Sequence, residues 1–315
     1  MDVVVGLAVV LVGVGAIVWG AEAFAEHLAA ASVRLGVSAF AMALLLAGAE
    51  PEELATAVTA SLRDSPAIAF GDVIGANVTI CLVAIGVGAV VTALPFGRRV
   101  RRYALAGLPL GALAAGFAWD GRVGRGEGAL LVVAYVGFVA TIWTIERHPP
   151  ALGETGELDA AAASPPGRVG RELAMVLAGV AAMAVGAVLI VEGVQAVSGV
   201  ESTQTKVGLT LVGFATGFEL VVLAWSSARR GITEAVVAAV VGSFAYNATM
   251  TLGAGALARP LAIRDASSLH LPWIAMILAL VAVVAASIGG RIGRWRGVAL
   301  LLAYPAYVGV VLAFG

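Results

Sequence analysis

Charge is what this sequence has least of. Only 12% of its 315 residues are Asp, Glu, Lys or Arg, against about a quarter in a soluble domain. Lysine occurs once, as Lys206, and the net charge is −1, so there is no basic stripe to hold a nucleic-acid backbone. The single cysteine, Cys81, excludes disulfides and cysteine metal clusters. Three histidines, His27, His148 and His270, fall near the ends of apolar runs. They supply neither an HExxH zinc site nor a Ser–His pair at membrane depth. Asp72 alone among the aspartates sits inside an apolar run, which argues against a two-aspartate intramembrane hydrolase. An enzyme is therefore not expected, and no cofactor.

Apolar residues fill the space that charge leaves. They make up 61% of the chain, and the mean hydropathy is +1.00. A span takes about 20 apolar residues to cross the hydrocarbon. Runs of that kind lie near 3–20, 37–61, 67–94, 103–119 and 126–145, then near 172–193, 206–228, 233–258, 271–289 and 297–314. The first lacks the basic n-region of a signal peptide and reads as a membrane helix. The expected fold is an all-α integral membrane protein of about ten transmembrane helices, in contact with a lipid bilayer and leaving no room for a sizeable soluble domain. Residues 146–171 carry four prolines and several acids, and read as a solvated linker. This divides the chain into a half at 1–145, the linker 146–171, and a half at 172–315.

Loop charges set the expected orientation. With the N-terminus outside, thirteen arginines fall in inside loops and six basic residues in outside loops. Both termini are expected outside and the linker in the cytoplasm, in what reads as a prokaryotic plasma membrane.

The chain also resembles itself. At an offset of 167 residues, within repeat motifs at 44–90 and 206–257, Leu44 meets Leu211, Glu52 meets Glu219, Arg63 meets Arg230 and Gly75 meets Gly242. Gly86 and Gly88 then meet Gly253 and Gly255. The copies begin in the second and seventh spans, five crossings apart, so they enter the membrane in opposite orientations. Inverted repeats meeting near the midplane are the architecture of secondary transporters.

Two acids stand out because a charge at the bilayer centre is costly. Glu52 follows Pro51, which interrupts a helix by lacking an N–H, with Gly48 adding backbone freedom. Glu219 follows the weaker breakers Gly213 and Gly217, and Thr216 lies one turn before it. A broken helix frees carbonyl oxygens, and with carboxylates these make a cation site of hard oxygen ligands. Glu52 and Glu219 are the expected metal ligands. Glu53 is the expected additional ligand, whereas Glu50 reads as a wall residue, because adjacent helical positions do not share a face. Asp72, Asn77, Ser243 and Asn247 fall in the adjoining third and eighth spans, with Ser243 and Asn247 on one helical face. Glu22 and Glu26 read as the solvated end of the first span, and Glu192 occupies a similar place in the sixth.

At these residues the sequence resembles the sodium/calcium exchanger superfamily. AEPEELATAV followed by GDVIGANVTI resembles the first of that family's paired GTSxPE and GNVVGSNxxN motifs. ATGFELVV followed by ARRGITEAVVAAVVGSFAYN resembles the second. The resemblance implies two inverted five-helix halves and exchange of Ca2+ for Na+ or H+, with inorganic cations as partners and Glu52 and Glu219 as binding glutamates. The motifs are incomplete. Ala49 replaces the Thr–Ser pair, Ala76 and Ile80 stand where the second half has Ser243 and Asn247, and Asp72 stands where the family has Asn. Extra acids and fewer hydroxyls lean toward the proton. The competing readings are a Na+/H+ or K+ type antiporter on the same scaffold, and a membrane protein without transport. The oligomeric state is not legible.

Overall fold

A computed structural model describes residues 3–35, 50–146, 169–197, 199–230 and 233–314. Gly48 and nearly all of the proposed linker lie outside the described residues. Ten helical rods run through the rest. They are α1 (Val3–Leu35), α2 (Pro51–Leu62), α3 (Pro66–Thr79, continued by a π turn at Ile80–Ala84 and a helix at Ile85–Val91), α4 (Arg98–Phe117) and α5 (Arg125–Glu146). The second series is α6 (Val169–Val197), then α7 (Glu201–Val207, a π turn at Gly208–Val212, and Gly213–Thr216) joined to α8 (Phe218–Arg230) in one broken rod. It continues with α9 (Thr233–Tyr246, a π turn at Asn247–Thr251, then Leu252–Ala258), α10 (Ser267–Ala286) and α11 (Arg294–Phe314). Seven spans among the described residues are long and apolar enough to cross a membrane. The four arginines in the first turns of α4 lower its hydropathy, although its 20 residues cover about 30 Å.

The first helix corrects its expected boundary. It continues to Leu35 rather than ending near residue 20, so Glu22, Glu26 and His27 are helix-interior positions. His27 Nδ1 lies 2.6 Å from Glu172 Oε2 on α6, which gives a polar pair to a histidine that sequence placed at a span end.

The packing of α1 on α6 shows the inversion directly. Gly6, Gly13 and Gly20 lie against Gly193, Gly186 and Gly179 respectively. The contacts ascend along one helix and descend along the other, so the first helices of the two halves run antiparallel. Glycine permits this approach: a Cβ on Gly186 would stand 2.5 Å from the Gly13 carbonyl oxygen. Without hydrophobic driving force in lipid, such close backbone packing supplies the dispersion energy that joins helices.

Two small strand pairs repeat the symmetry. β1 (Leu94–Pro95) pairs antiparallel with β4 (Arg291–Ile292), and β2 (Arg122–Val123) with β3 (Leu261–Ala262). Each pair joins one half to the other. Because α4 starts beside β1 and ends beside β2, the pairs cap opposite ends of the bundle. The π turns obey the 167-residue offset as well, Ile80–Ala84 matching Asn247–Thr251. Around the centre, α3 is almost wholly buried, from Ala67 to Thr79.

Gly186→Leu is expected to force α1 and α6 apart and to destabilise the fold by about 1–3 kcal/mol. Thermal unfolding in detergent checks this, and an unchanged midpoint contradicts the close contact.

Candidate cation-binding site

The site begins with a chain break. Glu50 is not helical (φ −109°, ψ 84°), and α2 starts at Pro51. Proline suits this position, because the first N–H of a helix has no partner in any case. The break releases Glu50 from helical geometry, so Glu50, Glu52 and Glu53 do converge. One carboxylate oxygen from each lies within 4.8 Å of the others, and all three are buried. Glu50 is therefore more than the wall residue expected from helical spacing. It accepts a hydrogen bond from Ser243 Oγ of α9. Glu52 and Glu53 occupy the first turn of α2, where the N-terminal end of a helix favours negative charge.

The second half breaks its helix at Gly217, whose N–H reaches back to the Gly213 carbonyl at 3.3 Å. Thr216 closes α7 and Glu219 sits in the first turn of α8. Thr216 Oγ1 donates to Asp72 Oδ1 at 2.9 Å, and also approaches the Val212 carbonyl at 3.2 Å. Asp72 lies deep on α3 with no exposed surface. It is thus an interior group and not a mouth residue. Glu219 is only partly buried and stands outside the tight trio. Glu22 and Glu26 on α1 are exposed, as expected for solvated positions.

Several polar atoms here have no hydrogen-bond partner among the described residues. They are Glu52 Oε2, both carboxylate oxygens of Glu53, Asp72 Oδ2 and Glu219 Oε2, with Asn77 Oδ1 and Asn247 Nδ2 nearby in sequence register. Buried oxygens of this kind cost free energy unless something positive meets them. No lysine or arginine does so: the ion pairs among the described residues are His27–Glu172, Arg63–Glu192 and Arg259–Asp64, all elsewhere. Glu192 thereby gains an exposed partner at the end of α6.

The remaining expected residues divide in two. Ser243 reaches the trio directly through Glu50. Asn77 Nδ2 instead donates to the Phe244 carbonyl at 3.3 Å and approaches Met276 Sδ at 3.4 Å. Asn247 opens the π turn of α9 and accepts from Thr251 at 3.3 Å. Such turns are frequent at functional sites. Both asparagines are fully buried. Of the expected helix breaks, Pro51, Gly213 and Gly217 fall at interruptions, and Gly48 lies outside the described residues.

Buried acids from inverted, broken helices, with Glu52, Glu53 and Asp72 unpaired with lysine or arginine among the described residues, are the features of a cation carrier. The sodium/calcium exchanger protein family matches the chain over residues 5–144 and 172–313. The chain belongs to that family. Its members are transporters of inorganic cations, and this chain is a cation antiporter, not an enzyme. An uncharacterized membrane protein of Methanocaldococcus jannaschii is 23% identical over 95% of this chain and 93% of its own length. The candidate antiporter CaxA of Alkalimonas amylolytica is 25% identical over 95% of this chain and 96% of its own length. The solved sodium-calcium exchanger NCX_Mj, at 20% identity, shares the fold with a TM-score of 0.64 across 98% of this chain and 99% of that one.

Thr216→Val removes the donor to Asp72 and is expected to cost about 1–3 kcal/mol of stability. In an Asp72→Ala background, which lacks the acceptor, the same change should cost less. Thermal unfolding of the four proteins checks this, and equal costs in both backgrounds contradict the pairing.

Proposed function

We propose that this antiporter exchanges Ca2+ for Na+ or H+ at a midplane site built on Glu52 and Glu53, with Glu50, Asp72, Thr216, Ser243 and Glu219 completing it. The observation that carries the reading is the convergence of Glu50, Glu52 and Glu53 within 4.8 Å in the protein interior. Hard divalent cations take six to eight oxygens and favour carboxylates. A divalent ion neutralises two acids at once, which offsets much of the cost of holding these carboxylates in a low-dielectric interior. Asn247 and Asn77 line the same pair of spans and serve as outer ligands or orienting groups.

Exchange follows from competition. Calcium and the counter-ion cannot occupy the same carboxylates together, so one leaves as the other arrives. The halves, taken as 1–145 and 172–315, then rock about the fixed site to open it alternately to each side. The ligand set favours the proton as counter-ion. Hydroxyls suited to Na+ are few: Thr216 and Ser243 are already bonded to acids, and Ala76 and Ile80 offer none. By loop charge both termini face outward and the linker 146–171 is cytoplasmic, in a prokaryotic plasma membrane.

Calcium uptake into proteoliposomes under an imposed Na+ gradient and, separately, a pH gradient tests the reading. Uptake is expected in at least one arm and to fall by more than about 10-fold in Glu52→Gln, the loss that follows from about 1.4 kcal/mol of binding. Wild-type uptake in Glu52→Gln and Glu53→Gln alike overturns the assignment. Calcium at about 100 times its Kd should also stabilise the wild type by ~2.7 kcal/mol, and the double Gln variant by little.

A further inference from the structure

The inverted fold builds the same cap twice, once at each end of the bundle, with opposite chemistry. At one end, α5 begins Arg125–Gly126–Glu127 just after β2. Glu127 folds back to accept from the Gly124 N–H at 2.7 Å. Asp265 there accepts from the Ser267 N–H at 3.1 Å and hydroxyl at 2.6 Å at the start of α10. Both carboxylates sit where a helix N-terminus favours them.

At the other end the equivalent positions are arginines. α11 begins Arg294–Trp295–Arg296 just after β4, and Arg98 at the start of α4 stands at the 167-residue equivalent of Asp265. Neither helix has an acid in its first turn. The β1–β4 pairing, reinforced by the Phe96 N–H to the Gly290 carbonyl at 2.8 Å, draws the two starts together. Arg98, Arg101, Arg102, Arg291 and Arg294 are exposed there, with no carboxylate partner among the described residues. Arg296 is fixed beneath them by bonds to the Ala286 and Ile288 carbonyls at 2.7 and 2.6 Å. A cavity of about 440 Å³ lies among Arg291, Arg294, Arg296, Gly289 and Gly293. Trp295 beside it is 84% exposed, as suits an indole at the membrane interface.

Positive charge at two helix starts works against the helix dipoles, and the acidic cap shows that the backbone does not demand it. An anion supplied from outside resolves the conflict. We propose that the β1–β4 cap is a docking site for the phosphate-bearing headgroup of an anionic phospholipid. The cap lies at the end of membrane-spanning helices, where headgroups are the abundant anions, and basic pockets between such helices suit them. The cavity itself belongs to β4 and the start of α11, and the β1–β4 pairing brings the arginines of α4 to the same end of the bundle. The inference does not depend on which ions are exchanged.

Quenching of Trp295 fluorescence by brominated lipids tests it, with Trp295→Phe used to isolate that signal. Full-length protein is reconstituted with brominated phosphatidylglycerol or brominated phosphatidylcholine in otherwise matched bilayers. Phosphatidylglycerol should quench preferentially, and each arginine neutralised among Arg98→Gln, Arg291→Gln and Arg294→Gln should reduce that preference about 5-fold. Arg122→Gln with Arg264→Gln at the acidic end should leave it unchanged. The single Arg294→Gln variant serves if the triple variant does not purify. Equal quenching by both lipids overturns the proposal. Loss of the preference on adding inorganic phosphate at constant ionic strength also overturns it, since the cap would then bind free phosphate.

Discussion

Three carboxylates held together in the interior, with no lysine or arginine paired to Glu52 or Glu53 among the described residues, constrain everything else in this protein. Burying even one ionised carboxylate costs several kcal/mol of solvation. Glu50, Glu52 and Glu53 are tolerable together when a cation or protons offset their charge, which is the basis of the proposed site. Their convergence rests on one local event, the interruption of the helix at Glu50 and its restart at Pro51. A continuous helix would have turned Glu50 and Glu52 to different faces.

The second half answers with less. It breaks at Gly217 without a proline, presents Thr216 and Glu219, and adds Ser243 and Asn247 from α9. Thr216 is committed to Asp72 of the first half, and Ser243 to Glu50. These two hydrogen bonds cross between the halves, so the site is stitched from both. Under the proposed mechanism, movement of one half against the other would break these bonds and so couple the site to alternating access. The glycine seam of α1 against α6 is a separate joint between the halves, where side chains such as Ile17, Met183 and Ile190 pack against the facing glycines.

Much of this was legible in the residues. The 167-residue offset paired the acids Glu52 and Glu219, and the π turns at Ile80–Ala84 and Asn247–Thr251 keep the same register. The ten rods followed from apolar run length, with the end of α1 misplaced: Glu22 and Glu26 are exposed as expected, but the helix continues past them to Leu35 and His27 finds Glu172. The role of Glu50 was hidden for a different reason. Face arguments presume a helix, and Glu50 lies one residue before it starts. Thr216 could be placed beside Glu219 by spacing, yet its bond to Asp72 is a tertiary contact over 144 residues that no local pattern encodes. The strand pairs were likewise invisible, being two residues long and paired across halves.

The central claim is that the buried acids of α2 share a cation with groups from α3 and the second half. Diffraction from crystals grown with Ba2+ in place of Ca2+ tests it most directly, since barium scatters anomalously and takes the same oxygen ligands. The account predicts an anomalous peak bounded by the carboxylates of Glu52 and Glu53 and facing Asp72 or Glu219. A peak found only at surface acids such as Asp64, Asp120 or Glu201, with the interior trio empty at saturating Ba2+, would contradict it.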